Sequence, residues 1–267
     1  MTFGWLPDEP DARDFAPEHS RVAPLLRLTR AVGTEPLPLI VDLREGCSPV
    51  EQQGRIGACS AHAAAGVVEF MQRRARAKYI DMSRRFVYKV TRQRSGLSGD
   101  SGASLRETIQ TLVQVGAPPE SMWPYDEARF DEEIPGEVLA HAFPRRVLTY
   151  YTLDPPGIGL EAVLNDLRRS LAAGIPAMFG FAVYDSWDMR SAEVPMPTSR
   201  SRHIGGHGAV FVGYDDSRDL LLWRNSWGTD VGEAGYFWLP YAYLLRGYVQ
   251  DLWCVVTQAW VETGAFA

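Results

Sequence analysis

Four side chains in this sequence have the chemistry of an acyl-transfer centre: a thiol at Cys59, an imidazole at His207, and carboxamides at Gln53 and Asn225. A thiolate attacks carbonyl carbon well, provided one group manages its proton and another holds the oxyanion that forms. Cys59 ends a loop punctuated by Gly54 and Gly57 and opens an Ala-rich run, where Ala64, Val67, Val68, Met71 and Ala75 recur at helical spacing. It is therefore predicted at the positive pole of a helix, where a thiolate is favoured over a thiol. A lone Cys before such a helix is more often a packing residue, so position alone does not assign it a role.

His207 lies in HIGGHGAVFVGYDD, flanked by Gly206 and Gly208 and followed by an apolar strand. It could be a turn residue, or a metal ligand paired with His203. Gly205-Gly206 argues against a helix that would bring those two histidines onto one face, so a base held at a strand start is the better reading. Asn225 ends another apolar strand and precedes Trp227 and Gly228. A strand-terminal Asn in a turn is ordinary. In the functional reading its oxygen accepts the imidazole N–H and fixes the tautomer, while Trp227 screens that bond from water. Gln53 alone says little, but its amide could join the Cys59 N–H in facing an oxyanion.

The elements that must position these residues divide the chain in two. Leu39–Leu43 is a short apolar entry segment; helices are predicted from Ser60 onward, over Ser83–Arg94, and from the capping box at Ser104 and Glu107 to Gly116. The polar stretch from 131 to 144 reads as an irregular crossing, and Leu160–Ala173 as an amphipathic helix closed by Gly174 and Pro176. Strands are predicted at Ala177–Val183, Ala209–Tyr214, Leu220–Arg224, Tyr236–Leu239 and Leu252–Thr257, with a long loop from Asp185 to Ile204. The fold class is α+β: a helical half at about 37–140, an antiparallel β-rich half at about 141–267, and a cleft between them. Residues 1–36, with five prolines, do not make a core element by themselves. They read as a leader or a strap over the cleft, with Phe3, Trp5 and Phe15 as anchors.

At 267 residues and 46% hydrophobic content the chain can bury a full core. A net charge of −6, with no long basic block, argues against nucleic-acid binding. The Arg/Lys run at 73–78 reads as a solvated helix end. Three cysteines are too few for a disulfide framework and suit a reducing compartment, although a Cys47–Cys254 bridge is compatible with the sequence. No signal peptide or membrane-spanning run is evident, so a cytoplasmic protein is expected, with export lacking a cleaved signal also compatible.

With these residues in view the sequence resembles the papain-like cysteine peptidases. The match runs through Gln53-Gly54, Gly57 and Cys59, then His207 with Gly213-Tyr214, then Asn225-Ser226-Trp227-Gly228 and Gly232-Glu233 with Gly235-Tyr236. Val41-Asp42 and Arg44 resemble the start of the mature enzyme, so the likeness covers roughly 38–257. It implies a two-lobed papain-like fold, with Cys59 as nucleophile, His207 as acid/base, Asn225 as orienting residue and Gln53 as oxyanion donor. Gly102 would pair with substrate backbone, and the pocket end near Gln250 and Asp251 would be partly polar. The implied activity is endopeptidase cleavage of a peptide or protein substrate, with no metal or other cofactor. The same thioester could instead serve a transpeptidase, cyclase or acyltransferase, and a silent peptide-binding module is the non-enzymatic alternative. Departures are Ile56 where the family usually has a disulfide cysteine, Ser60 for the usual aromatic, and Gly206 before the base. They are similar to bacterial members lacking the long helical pro-domain, and leave residues 1–36 as the candidate inhibitory segment.

Overall fold

The computed structural model describes residues 2–31, 33, 35–142 and 148–267. The chain begins with an extended segment and a short helix, α1 (Ala23–Leu26), then β1 (Ile40–Asp42). Three helices follow: α2 (Cys59–Arg76), α3 (Arg84–Arg94) and α4 (Leu105–Gln114). Ser83 and Ser104 cap the last two, their hydroxyls accepting the N–H groups of Phe86 and Glu107. After α5 (Gly136–Ala142) come β2 (Thr149–Thr152), α6 (Leu160–Ala172), β3 (Ala177–Tyr184), β4 (His203–Asp215), β5 (Leu220–Arg224), β6 (Tyr236–Pro240), α7 (Tyr241–Leu245), β7 (Val249–Val256) and α8 (Gln258–Val261).

The strands form one antiparallel sheet in the order β2-β7-β3-β4-β5-β6, with β1 from the early half also pairing to β4. Helix α2 is buried from Cys59 to Met71 and packs on β4, which explains its Ala and Gly content: small residues bring backbone close to the sheet. At Gly66 any Cβ would overlap the Arg224 guanidinium.

Three sequence expectations change. The loop from Asp185 is shorter than predicted, because β4 starts at His203 and His207 lies inside that strand rather than at its start. Within 131–144, residues 136–142 form a helix, and 143–144 lie outside the described residues. The early segment, for which a leader or a strap anchored by Phe3, Trp5 and Phe15 is expected, has Trp5, Val22 and Leu26 buried. The basic run is also not wholly solvated, since Arg73 and Arg74 donate to the carbonyls of Cys47 and Ala265.

Candidate active site

Cys59 is the first residue of α2 and is completely buried. Its sulfur accepts the Gly208 N–H at 3.4 Å, which puts the thiol beside the residue following His207. His207 is also fully buried, and its Nε2 lies 2.8 Å from Asn225 Oδ1. That oxygen also accepts the Ser226 N–H at 2.8 Å, so it is the carbonyl end of the amide and Nε2 must be the protonated nitrogen. Nδ1 is left as the free base, with no hydrogen-bond partner among the described residues. The Trp227 ring covers the imidazole at 4.5 Å between centroids, and Phe181 meets it edge-on at 5.8 Å. Trp227 thus lies where it can shield the His207–Asn225 bond from water.

Gln53 is buried, and its Oε1 accepts the Ser226 hydroxyl at 2.7 Å. With that end fixed, the NH2 group donates to Ile56 O at 2.9 Å and to Thr2 O at 3.2 Å. Ser226 therefore joins Gln53 to Asn225 and, through it, to His207. Its place between Asn225 and Trp227 was the only sequence signal for this bridge, and it names no function. Tyr125, whose hydroxyl donates to Gln53 O at 2.8 Å, gave none.

The groove over these residues holds the chain's own first residues. Thr2 O is at the Gln53 amide, the Gly4 N–H points at the Cys59 sulfur, and the Phe3 ring sits 6.3 Å from His207 and 6.1 Å from Trp227. Gly4 threads between Gly57 and Gly102 so closely that a Cβ on it would overlap the Gly57 backbone. Gly102, with φ +74°, is likewise bare against Gly4 O. The strap's backbone bonds go to Ala103 on one side, where Ala103 N donates to Gly4 O at 2.9 Å and Leu6 N to Ala103 O at 3.3 Å in the parallel sense. On the other side they go to Gly206, where Trp5 N donates to Gly206 O at 3.0 Å. The Trp5 indole lies against Gly180 and Gly206, where a Cβ on Gly206 would come within 2.6 Å of it, and its Nε1 donates to Asp251 at 2.8 Å. Asp251 thus ends the pocket that Trp5 fills.

Burial sets the protonation of the pair. Desolvation raises the Cys59 thiol, against the pull of the N–H groups of Gly208, Gly4 and Ser60. It lowers His207 to about 4, with the Asn225 bond opposing. Both are neutral in this closed state near pH 7. All three cysteines are free thiols, so Cys47 and Cys254 do not pair. Where Ile56 removes the family's disulfide, a polar clasp is present: Asp100 accepts the Gly57 N–H at 2.8 Å and the Tyr88 hydroxyl at 2.6 Å, and Tyr88 in turn accepts the Gly102 N–H at 3.0 Å. Among the described residues no group of three or more His, Cys, Asp or Glu is arranged to hold a metal, and no helix is long and apolar enough to cross a membrane.

A thiol at a helix mouth, an imidazole on a facing strand and an amide holding its ring agree with what sequence comparison finds: the papain family cysteine proteases match residues 37–244, and the chain belongs to that family. Xylellain, a cysteine protease from Xylella fastidiosa, has a similar structure with a TM-score of 0.80 and 32% identity, each chain covering 96% of the other. An uncharacterized peptidase C1-like protein of Acanthamoeba polyphaga mimivirus is 29% identical over 95% of this chain and 86% of its own length. Cathepsin S of Rattus norvegicus is 28% identical over 78% of this chain, which spans 62% of that protein. The resemblance in the motifs and the fold it implied are thus both found.

Proposed function

We propose that the chain cleaves peptide bonds through an acyl-enzyme on Cys59 and that residues 2–15 occlude this site until displaced. The observation that carries the reading is the connected set Cys59, Gly208, His207, Asn225, Ser226 and Gln53, because it supplies nucleophile, base, orienting group and oxyanion donor at one place. When the strap leaves and water enters, the desolvation that keeps the pair neutral falls away. Cys59 then passes its proton to His207 Nδ1 and attacks the substrate carbonyl. The oxyanion takes the place of Thr2 O at Gln53 Nε2 and faces the Cys59 N–H. His207 protonates the leaving amine, and a water deprotonated by the same nitrogen hydrolyses the thioester. Trp227 keeps the imidazole bond dry, Gly102 and Ala103 offer backbone to the substrate, and the Trp5 pocket beside Gln250 and Asp251 accepts a substrate side chain.

The test is a fluorogenic peptide library with wild type, Cys59→Ala and a strap variant, Trp5→Ala. Cleavage should be absent in Cys59→Ala and faster in Trp5→Ala than in wild type. Unchanged turnover in Cys59→Ala would remove Cys59 from the mechanism.

A further inference from the structure

Beyond its backbone bonds and the buried Trp5, the strap meets the body of the protein through carboxyl groups. Asp8, Asp11 and Asp14 of the strap, Asp154 after β2 and Asp251 of β7 line one cavity of about 310 Å3, with Arg106 of α4 as its cation. Two of these acids have guanidinium partners: Asp11 pairs with Arg13, and Asp14 with Arg106 at 2.7 Å. The other three are held by neutral donors. Asp251 Oδ2 accepts the Trp5 indole N–H at 2.8 Å and the Asp8 N–H at 3.0 Å. The Asp8 carboxyl accepts the Trp253 indole at 2.9 Å and the Arg106 N–H at 3.2 Å, with the Ser104 hydroxyl also bonded to it. Asp154 accepts the Leu252 N–H at 2.9 Å and the Thr152 hydroxyl at 2.6 Å.

The aim of Asp251 is a built feature. Its φ of +57° lies in the left-handed region, and the β3–β7 register slips there, from Met178 opposite Trp253 to Gly180 opposite Gln250. A bulge of this kind redirects a side chain, at the cost of local strain. Here it accompanies a carboxyl turned to the strap, against another carboxyl on the strap.

We propose that this acidic contact is a pH-sensitive latch, holding the strap in the groove while Asp8 and Asp251 are protonated and releasing it as they become charged. The inference rests on the occluding reading of the strap given above. Burial, followed by the neighbouring Asp8, raises Asp251 to about 7; burial also raises Asp8, and lifts Asp14 to about 6. A released strap returns these groups toward the ordinary carboxyl range of about 4. Because the docked values are the higher ones, the contribution to docking is full below that range and is lost as pH rises through about 7. For the Asp8–Asp251 pair taken together, linkage makes the docking constant fall by about tenfold or more between about pH 5 and about pH 8.

The experiment is iodoacetamide alkylation of Cys59 in the full chain across that range, followed by peptide mass mapping. Each rate is divided by that of Gly4→Ala at the same pH, a variant whose strap cannot seat, so that the thiol's own titration cancels. The ratio should rise at least tenfold from acid to alkaline pH in wild type. It should rise at least threefold less in Asp251→Asn, measured against Asp251→Asn with Gly4→Ala, and in Asp8→Asn, which leaves the folded body untouched. A flat wild-type ratio, with Gly4→Ala faster throughout, would overturn the latch alone, as would a full rise in both Asn variants. If Gly4→Ala is no faster at any pH, the occluding reading fails and takes the latch with it.

Discussion

Gly4→Ala is a demanding test of occlusion, because it adds one methyl group where the strap has no room for one. A Cβ there would overlap the carbonyl and Cα of Gly57, which are backbone atoms that no rotamer change can move. Gly57 is itself held by Asp100 and lies two residues before Cys59, so it cannot retreat without disturbing the start of α2. The strap must therefore give way over its central contacts: Trp5 N to Gly206 O at 3.0 Å, Ala103 N to Gly4 O at 2.9 Å, and Leu6 N to Ala103 O at 3.3 Å. At roughly 1 kcal/mol net per bond the loss is about 3 kcal/mol, before any loss of Trp5 burial. That corresponds to a roughly hundredfold larger open fraction wherever the closed form dominates. The assay is the second-order rate of Cys59 inactivation by an epoxysuccinyl inhibitor at neutral pH, with hydrolysis of a short fluorogenic peptide alongside. Gly136→Ala is the control, since nothing lies within 4 Å of its added Cβ. Equal rates in Gly4→Ala and wild type, with unchanged thermal unfolding, would refute the reasoning that the strap limits access.

Two further outcomes are expected. Ser226→Ala, in the Gly4→Ala background, frees the Gln53 amide; losing about 1 to 1.5 kcal/mol of positioning lowers kcat roughly tenfold, with KM changed less and partial recovery in Ser226→Thr. Glu69→Gln weakens the buried contact with Arg84 at 3.0 Å and should lower the urea midpoint by an amount equal to about 3 kcal/mol, leaving the pH profile of the opened enzyme unchanged.

The sequence made the site's parts visible wherever a residue's chemistry and its local setting coincide. Cys59 before an Ala-rich run and Asn225 after LLLWR fall where the pattern puts them, at the start of α2 and just past β5. His207 was found, but its setting was misjudged. Gly205 and Gly206 fall ahead of the strand expected to begin at Ala209, yet both lie inside β4, with Phe3 and Trp5 packed on their bare backbone. Those glycines mark a docking surface for a segment about two hundred residues away in sequence, which no local rule can reveal. The same limit hid Ser226, Tyr125 and the acidic contact, since each depends on partners that only the folded chain brings near. Trp5 was named as a possible anchor from its apolar bulk; its pocket and its hydrogen bond to Asp251 were beyond reach.

The clasp at Asp100 has a practical consequence for anyone handling the enzyme. A bridge of hydrogen bonds re-forms on each encounter without an oxidant, so the walls beside Cys59 owe nothing to redox state. Dithiothreitol added to keep Cys59 reduced has no internal disulfide to cut, since all three cysteines are free thiols.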